Sequence, residues 1–242
     1  ESLLAVTDGI EELAESRGRW FVELLTCYRD DDEASYAVAL RGAAERADEG
    51  ELWDAAERVA RRLDRPEPLA DAYARALERP LTPEVAEELG RRMVEFHEEW
   101  FDDQERIVVL LRRVLSLSPA ASWALDRLKL AFNAQGRWDD LFELYDWALA
   151  RVEAPSERID LLREASMAAK DFASNSDRAI RYLEELLRFT PQDARVEASL
   201  ERLYERDGRT ESLIELLAGR LDAAAATTDP QALRGRIAGL WL

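Results

Sequence analysis

The sequence predicts an all-α solenoid, an array of antiparallel helix hairpins that stack on one another. Apolar residues recur with the period of an α-helix along nearly the whole chain, and no stretch alternates as a β-strand would. Helix-breaking residues recur at a fixed distance: Pro83 and Pro155 lie 72 residues apart, as do Pro119 and Pro191. A period this long predicts repeating units, each of which buries its apolar face only against its neighbours.

An apolar frame repeats with the same period. Leu69, Tyr73, Ala76 and Leu77 recur 72 residues later, and the frame weakens in a third copy. Its second and third copies are Leu141, Tyr145, Ala148 and Leu149, then Leu213, Leu217, Arg220 and Leu221. Because four helices fill each unit, we expect each unit to consist of two hairpins of about 36 residues.

About 14 helices are expected, joined by short connections that favour antiparallel neighbours. Their predicted ranges are 2–15, 19–29, 33–47, 51–63, 67–79, 84–101, 104–117, 120–135, 138–152, 156–173, 177–189, 192–207, 210–225 and 230–242. The predicted units, within one array over 1–242, are 11–82, 83–154 and 155–226, with the start of a further unit at 227–242. Both ends look cut within a unit, so we expect a fragment of a longer protein.

Residues typical of helix starts and ends support these predicted helices. Pro83, Pro155 and Pro230 stand at predicted helix starts, where the missing proline N–H costs nothing. Gly136 and Gly208 stand where a helix must stop and turn. Acidic or amide side chains precede several helices and can cap their free N–H groups; they are Asp102, Asp103, Asp139, Asp140, Asn175 and Asp177.

These residues resemble the tetratricopeptide repeat, a hairpin of about 34 residues with a glycine near the inter-helix turn and a proline after the second helix. The match is clearest over 83–226. The matching residues are Leu128, Phe132, Gly136, Trp138, Leu141, Tyr145 and Ala148 after Pro119, and Leu200, Tyr204, Gly208, Leu213 and Leu217 after Pro191. The chain departs from the family at Lys129 and Glu201, where a small residue is usual, and at Leu141 and Leu213, where alanine is usual.

The resemblance implies a right-handed superhelix whose first helices line a concave groove, and this groove usually holds a peptide or a helix of another protein. It implies no catalysis. One version of the family grips a C-terminal carboxylate with lysines and asparagines. This chain has only two of each, Lys129, Lys170, Asn133 and Asn175, so we do not expect that version.

The composition limits the classes of partner that this chain is expected to bind. The net charge of −18 repels phosphate backbones and anionic lipids, which argues against nucleic-acid and membrane-surface roles. No stretch is long and apolar enough for a membrane helix, and no signal peptide is present, so cytoplasm is the expected location. The lone Cys27 is expected to be a small buried packing residue.

Little in the sequence predicts catalysis, a metal or a cofactor. His97 is the only histidine, so a zinc motif with two histidines cannot form, and we expect it on a helix surface or partly packed. The acidic run from Asp30 to Glu33 lacks the central glycine of a calcium loop and is expected to cap the next helix. We therefore expect a protein that is not an enzyme and that binds no cofactor.

The groove register of the family gives the candidate binding residues. Trp123 would point into the groove as an aromatic anchor. Arginines at groove positions form a basic stripe on an acidic protein; they are Arg58, Arg62, Arg92, Arg127, Arg195, Arg202 and Arg206. The alternative is that these arginines pair with Glu and Asp on neighbouring helices. The predicted partner-binding residues are Trp123, Arg127, Asn133, Arg195, Arg202 and Arg206.

The leading functional hypothesis is a non-catalytic scaffold that receives an acidic or amphipathic segment of another protein. Arginine forks would bind its carboxylates in pairs. The alternatives are a spacer that self-associates through apolar ends of the array, and a regulatory domain of a larger protein. An enzyme that uses paired acids is a more remote alternative.

Overall fold

The computed structural model describes residues 14–28, 30–101, 103–172, 174–191, 193–223 and 230–241. Over these ranges it contains thirteen α-helices and no β-strand, which confirms the all-α prediction. The helix predicted at 2–15 falls almost wholly outside the described residues. The helices, numbered here in chain order, are α1 (Ala14–Cys27), α2 (Asp32–Glu45), α3 (Gly50–Leu63), α4 (Glu67–Glu78), α5 (Pro83–Trp100), α6 (Gln104–Leu117), α7 (Ser122–Ala134), α8 (Trp138–Leu149), α9 (Pro155–Met167), α10 (Ser176–Phe189), α11 (Ala194–Asp207), α12 (Thr210–Ala223) and α13 (Pro230–Leu240).

The chain divides into two compact units, residues 1–131 and 132–242. Within the first unit, helices from α1 to α6 pack mainly on the helices before and after them in sequence. Within the second unit, the same holds for the helices from α8 to α13. This neighbour-on-neighbour packing confirms the predicted tandem hairpins within each unit. The grouping of all of them into one array over 1–242 stays a prediction.

The apolar frame forms the core of both units. Leu69, Tyr73 and Ala76 are fully buried on α4. Their counterparts are also buried on α8 (Leu141, Tyr145 and Ala148) and at two of the three positions on α12 (Leu213 and Leu217). The third copy carries Arg220 where the first two carry alanine. This guanidinium remains partly exposed and pairs with Glu197 and Glu201 of α11. The frame therefore tolerates a charge at that position because the preceding hairpin supplies carboxylates.

The predicted prolines and glycines at helix ends are confirmed, and some of the predicted caps are. Pro83, Pro155 and Pro230 are the first residues of α5, α9 and α13. Gly136 and Gly208 adopt φ values of +65° and +68°, the left-handed conformation that glycine adopts most easily.

Three predicted caps accept backbone N–H groups: Asp31 from Ala34, Asp103 from Arg106 and Asn175 from Arg178. The prediction is wrong for Asp139 and Asp140, which lie in the first turn of α8, where the N-cap residue Arg137 makes no side-chain cap. It is wrong also for Asp177, which lies in the first turn of α10. Asp102 falls outside the described residues.

Two predicted helix boundaries are wrong. A break was expected near Gly18, but α1 runs from Ala14 to Cys27 without one. A glycine inside a helix costs only about 1 kcal/mol relative to alanine, which tertiary packing can offset. The helix expected at 156–173 ends as an α-helix at Met167 and continues as a π-helical segment over Ala168–Phe172. The sequence carries no local signal for this change of period.

Gly90 allows α5 and α6 to approach closely. The residue is buried, and a Cβ atom added to it would lie 2.4 Å from Cγ2 of Val114 on α6 and 3.5 Å from the Trp123 ring on α7. A separation of 2.4 Å between two carbon atoms is a severe steric overlap. The absence of a side chain at Gly90 is therefore a packing requirement of this hairpin.

We predict that Gly90→Ala lowers the free energy of unfolding by about 1–3 kcal/mol, because the new methyl group overpacks the contact with Val114. The matched control is Gly219→Ala on α12, where a Cβ would meet no atom within 4 Å. The control should stabilise the protein by about 0.4–1 kcal/mol. Urea denaturation followed by circular dichroism measures both. Equal stabilisation by the two substitutions would contradict the packing argument.

Candidate interaction surface

Helix α11 presents three chemically distinct faces. Its apolar face is buried and consists of Val196, Leu200, Leu203 and Tyr204. A second face carries carboxylates at Glu197, Glu201 and Glu205, which pair with Arg220 of α12 and Arg236 of α13. The third face holds Arg195, Ser199, Arg202 and Arg206, which are spaced by three or four residues and so line one side of the helix.

Arg195 and Arg202 have no carboxylate partner among the described residues. Both side chains are exposed. The Arg202 Nε atom donates to the backbone oxygen of Ala198, one turn earlier, at 3.0 Å. Arg206 differs from them, because its Nε atom lies 3.1 Å from Oδ1 of Asp207 and it also donates to the Ser176 hydroxyl at the start of α10. Two of the three predicted arginines on α11 are therefore available to a ligand carboxylate.

The predicted anchor Trp123 lies against α5. The guanidinium carbon of Arg91 lies 4.6 Å from the centre of its ring, a cation–π distance. The ring also packs beside Gly90. The indole Nε1 atom is buried, and no described residue accepts its hydrogen. The Trp123 ring is thus held by its own unit, and a contact with a partner stays a prediction.

Other predicted groove arginines pair within the chain. Arg127 pairs with Glu98, while Arg62 lies 2.6 Å from Asp32. Arg92 Nη1 lies 2.6 Å from Oδ1 of Asp54 and also approaches Glu57 and Glu88, and its pKa is raised above the usual value even though burial lowers it. These arginines follow the alternative interpretation, in which helix-surface charges neutralise one another.

Asn133 is exposed near the end of α7. Its backbone oxygen accepts the N–H of Gly136 at 3.1 Å. Among the predicted binding residues, Trp123 and Arg127 belong to the first unit, whereas Asn133, Arg195, Arg202 and Arg206 belong to the second. A ligand that touches all six residues stays a prediction.

Helices α9 and α10 each make a side-chain contact with α11. Nη2 of Arg163 on α9 lies 3.7 Å from Oδ2 of Asp193, which caps α11. Arg206 of α11 donates to the hydroxyl of Ser176, the first residue of α10.

Two exposed apolar side chains lie at the end of α9 and in the segment that follows it. Met167 is 53% exposed, and Phe172 in the π-helical segment is 58% exposed. The Phe172 ring is nearly parallel to that of Trp138, with 6.4 Å between ring centres. A regular helix through 156–173 gives no reason to single out either residue. Phe172 lies in the π-helical segment, whose period differs from that of the predicted helix, so its outward position could not be predicted.

The first unit contains a cleft of about 470 Å³ between α1, α2 and α3. Its wall includes Val22, Leu25 and Val59, and its charged lining includes Arg58 and Arg62. Arg58 is exposed and has no carboxylate partner among the described residues. Because Glu51 and Asp54 line the same cleft, the charges there are balanced. The cleft therefore lacks the uncompensated basic character of the α11 stripe.

Two sequence expectations outside this surface are wrong. Cys27 was expected to be buried, but it is exposed at the end of α1. His97 was expected on a helix surface or partly packed, yet it is only 1% exposed. The prediction for His97 failed because the residue occupies a core position on α5, on the same side as Met93 and Gly90.

His97 is held as a neutral ring. Its Nδ1 atom lies 2.8 Å from the backbone oxygen of Met93, so Nδ1 carries the hydrogen and donates it. The Nε2 atom is buried and finds no partner among the described residues. Burial lowers the pKa of His97, and the positive charge of Arg106 acts in the same direction. The ring therefore resists protonation while the chain is folded.

No group of three or more His, Cys, Asp or Glu side chains in the described ranges could hold a metal ion. Within these ranges, too, no helix combines the length and the apolar character needed to cross a bilayer.

Comparison with known proteins gives structural similarities at low sequence identity. A tetratricopeptide repeat protein from Parabacteroides merdae ATCC 43184 is 15% identical, with 92% of this chain and 86% of that chain covered and a TM-score of 0.35. YrrB, a TPR protein with an unusual peptide-binding site, is 14% identical over 82% of this chain and 97% of its own, also at 0.35. PilW, a type IV pilus biogenesis factor, is 13% identical over 89% and 97%, with the same TM-score. No protein family model matches the chain, and no curated protein does.

The lowered pKa of His97 predicts a pH dependence of stability. The unfolded chain protonates His97 below about pH 6.5, whereas the folded chain does so only at lower pH. The free energy of unfolding should therefore fall by up to roughly 1 kcal/mol between pH 7.5 and pH 5.5 on account of this residue. In His97→Leu this contribution disappears. Urea denaturation of both proteins at the two pH values measures it, and identical pH slopes would contradict the prediction.

Proposed function

We propose that this chain is a non-catalytic interaction scaffold that binds an acidic segment of a partner protein on the arginine stripe of α11. The stripe comprises Arg195, Arg202 and Arg206. The other predicted contacts, Trp123, Arg127 and Asn133, remain candidates for the concave groove that the tetratricopeptide resemblance implies. A cytoplasmic location, expected from the sequence, belongs to the same proposal.

One observation supports the proposal above all. The chain carries 51 acidic and 33 basic residues other than histidine, so carboxylates are plentiful. Arg61, Arg92 and Arg181 each reach a carboxylate on another helix. Arg195 and Arg202 nevertheless have none among the described residues. Arg58, Arg75 and Arg188 also lack a carboxylate among the described residues, but each is the one such arginine on its helix, whereas Arg195 and Arg202 share one face of α11. A ligand that brings two carboxylates can neutralise both.

The chemistry of the stripe favours carboxylates of a protein segment. Each guanidinium can donate two parallel hydrogen bonds to one carboxylate, which fixes orientation as well as adding attraction. The negative charge of the rest of the chain opposes long-range attraction of an anion. Binding should therefore depend on close contacts, and moderate salt should weaken it less than it weakens binding to a uniformly basic surface.

The test uses a double charge reversal. We predict that Arg195→Glu with Arg202→Glu weakens binding of a fluorescein-labelled peptide rich in glutamate and leucine, because like charges then face each other. The loss of two exposed ion pairs, with repulsion in their place, should weaken binding by about 1.5–3 kcal/mol, a factor of about 10 to 100 in Kd. Fluorescence anisotropy against the full chain measures it.

The matched control is Arg75→Glu with Arg188→Glu. Both residues are exposed, neither has a carboxylate partner among the described residues, and neither lies on α11. The control makes the same change of net charge and should leave the Kd within about threefold of the native value. Circular dichroism should show unchanged helicity in both variants. Equal loss of binding in both double variants would show that the change of net charge causes the effect, and would reject the proposed site.

Association between copies of the chain is a second candidate, and Trp241 favours it. Its side chain follows α13 and is 72% exposed, while Leu233 is the buried residue among the described side chains of α13. Burial of a tryptophan side chain can contribute about 2–3 kcal/mol to an interface. We predict that any dimer seen by sedimentation velocity is weakened in Trp241→Ser. A chain that is monomeric at high concentration, or a dimer unaffected by this substitution, would exclude association through this end.

A further inference from the structure

We infer that the stacked rings of Phe172 and Trp138 receive the guanidinium of an arginine that a partner protein supplies. This subsite is independent of the arginine stripe on α11, because it binds the opposite charge. It also differs from the groove that the tetratricopeptide resemblance implies. First helices line that groove, whereas Trp138 opens α8, the second helix of its hairpin.

The backbone that carries Phe172 departs from regular helix geometry in two ways. Ala168–Phe172 is π-helical, a rare local form that is frequent at functional sites. The N–H of Asn175 closes this segment by donating to the backbone oxygen of Ala169 at 2.8 Å. Ser174 has a φ of +50°, a left-handed conformation that is unfavourable for a residue with a side chain. Two unfavourable backbone features beside one exposed ring support a functional role for that ring.

The two rings leave an aromatic surface open to solvent. Their planes differ by 12° and their centres lie 6.4 Å apart, which is within the range of a stacked aromatic pair. Phe172 is nevertheless 58% exposed, while Trp138 is partly buried. Trp138 therefore contacts the phenyl ring without covering it, and much of the ring is available to a ligand.

Other aromatic rings of the same unit are covered by arginines of the chain itself. Phe189 is the best comparison, because it is 40% exposed and the guanidinium carbon of Arg158 lies 5.7 Å from its ring centre. The same contact occurs at 4.3 Å, 5.1 Å and 4.8 Å in three further pairs: Trp147 with Arg151, Phe142 with Arg178, and Tyr182 with Arg181. Neither Phe172 nor Trp138 has such a cation among the described residues. An arginine from a partner gives this pair the contact that those rings already have.

The charges beside the ring pair favour a cation. Nε of Arg137 lies 2.9 Å from Oδ2 of Asp140, and Nζ of Lys170 lies 3.4 Å from Oδ1 of Asp171, so these charges neutralise one another. Asp139 is exposed and has no cation among the described residues. The surroundings of the rings are therefore negative, as is the chain with its net charge of −18.

The chemistry of the rings favours a guanidinium over other cations. An aromatic face attracts a cation through the negative charge density above the ring. A guanidinium is planar and weakly hydrated, so it can lie flat on the ring at little cost in lost water. The ammonium of lysine is compact and strongly hydrated, which makes this contact less favourable.

The experiment titrates capped tripeptides, acetyl-Gly-X-Gly-amide, into the full chain labelled with fluorotryptophan, over the millimolar range. Residue X is arginine, lysine, citrulline or norleucine. Citrulline has nearly the shape of arginine without its charge, and norleucine is apolar. Fluorine NMR follows the signals of Trp138 and Trp147, which are assigned from Trp138→Phe and Trp147→Phe. Trp147 is the internal control, because Arg151 already covers its ring.

The inference predicts that the arginine peptide shifts the Trp138 signal with a Kd at least about threefold lower than that of each other peptide. The Trp147 signal should not move. Phe172→Leu should remove the preference for arginine, because leucine keeps an apolar side chain but has no ring. Since Phe172 is exposed, this variant should fold, and circular dichroism checks it.

Four results would overturn the inference. Equal binding of the arginine and citrulline peptides would show that the charge is not recognised, and equal binding of the lysine peptide would reject the guanidinium. No shift with any peptide, or a retained preference for arginine in Phe172→Leu, would reject the ring pair as the site. None of these results affects the test by Arg195→Glu with Arg202→Glu, so the two surfaces can fail separately.

Discussion

The described helices cannot bury their apolar stripes alone, and each depends on the helices beside it in sequence. Leu69 and Tyr73 on α4 become fully buried against neighbouring helices of the same unit, and Leu213 and Leu217 do the same on α12. Burial of each such side chain contributes about 1.5–3 kcal/mol relative to exposure. Stability in such a fold is approximately a sum of hairpin terms and nearest-neighbour terms.

Polar contacts between helices adapt to this stacking. The hydroxyl of Tyr182 donates to Oδ1 of Asp146 at 2.8 Å, and burial raises the pKa of Tyr182 to about 12. Tyr204 donates in the same way to Glu184 at 2.8 Å. A buried hydroxyl without such a partner would cost about 1–3 kcal/mol. Each surface ion pair contributes less than this to the stability of the fold. The ion pairs matter here because they determine which charged side chains remain without a partner.

The sequence predicted what depends on local chemistry and missed what depends on three-dimensional neighbours. Gly136 and the helix-starting Pro83 were predictable because their backbone preferences are intrinsic. The burial of His97 was not, because its ring occupies a core position that only the packed helices define. The groove register implied by the family resemblance named Arg195 and Arg202 but could not distinguish them from the paired Arg127, because pairing depends on the neighbouring hairpin. The exposure of Phe172 was missed because the π-helical segment that contains it has no sequence signal.

Native-state hydrogen exchange on a Leu217→Ala variant tests the dependence of each helix on its neighbours most directly. Leu217 is fully buried on α12, which packs on α11 and α13. Nearest-neighbour stacking predicts faster amide exchange in α11, α12 and α13, with protection in α2, α3 and α4 unchanged. An equal loss of protection in all the helices would show a single cooperative core, and would contradict the account of hairpins stabilised by their neighbours.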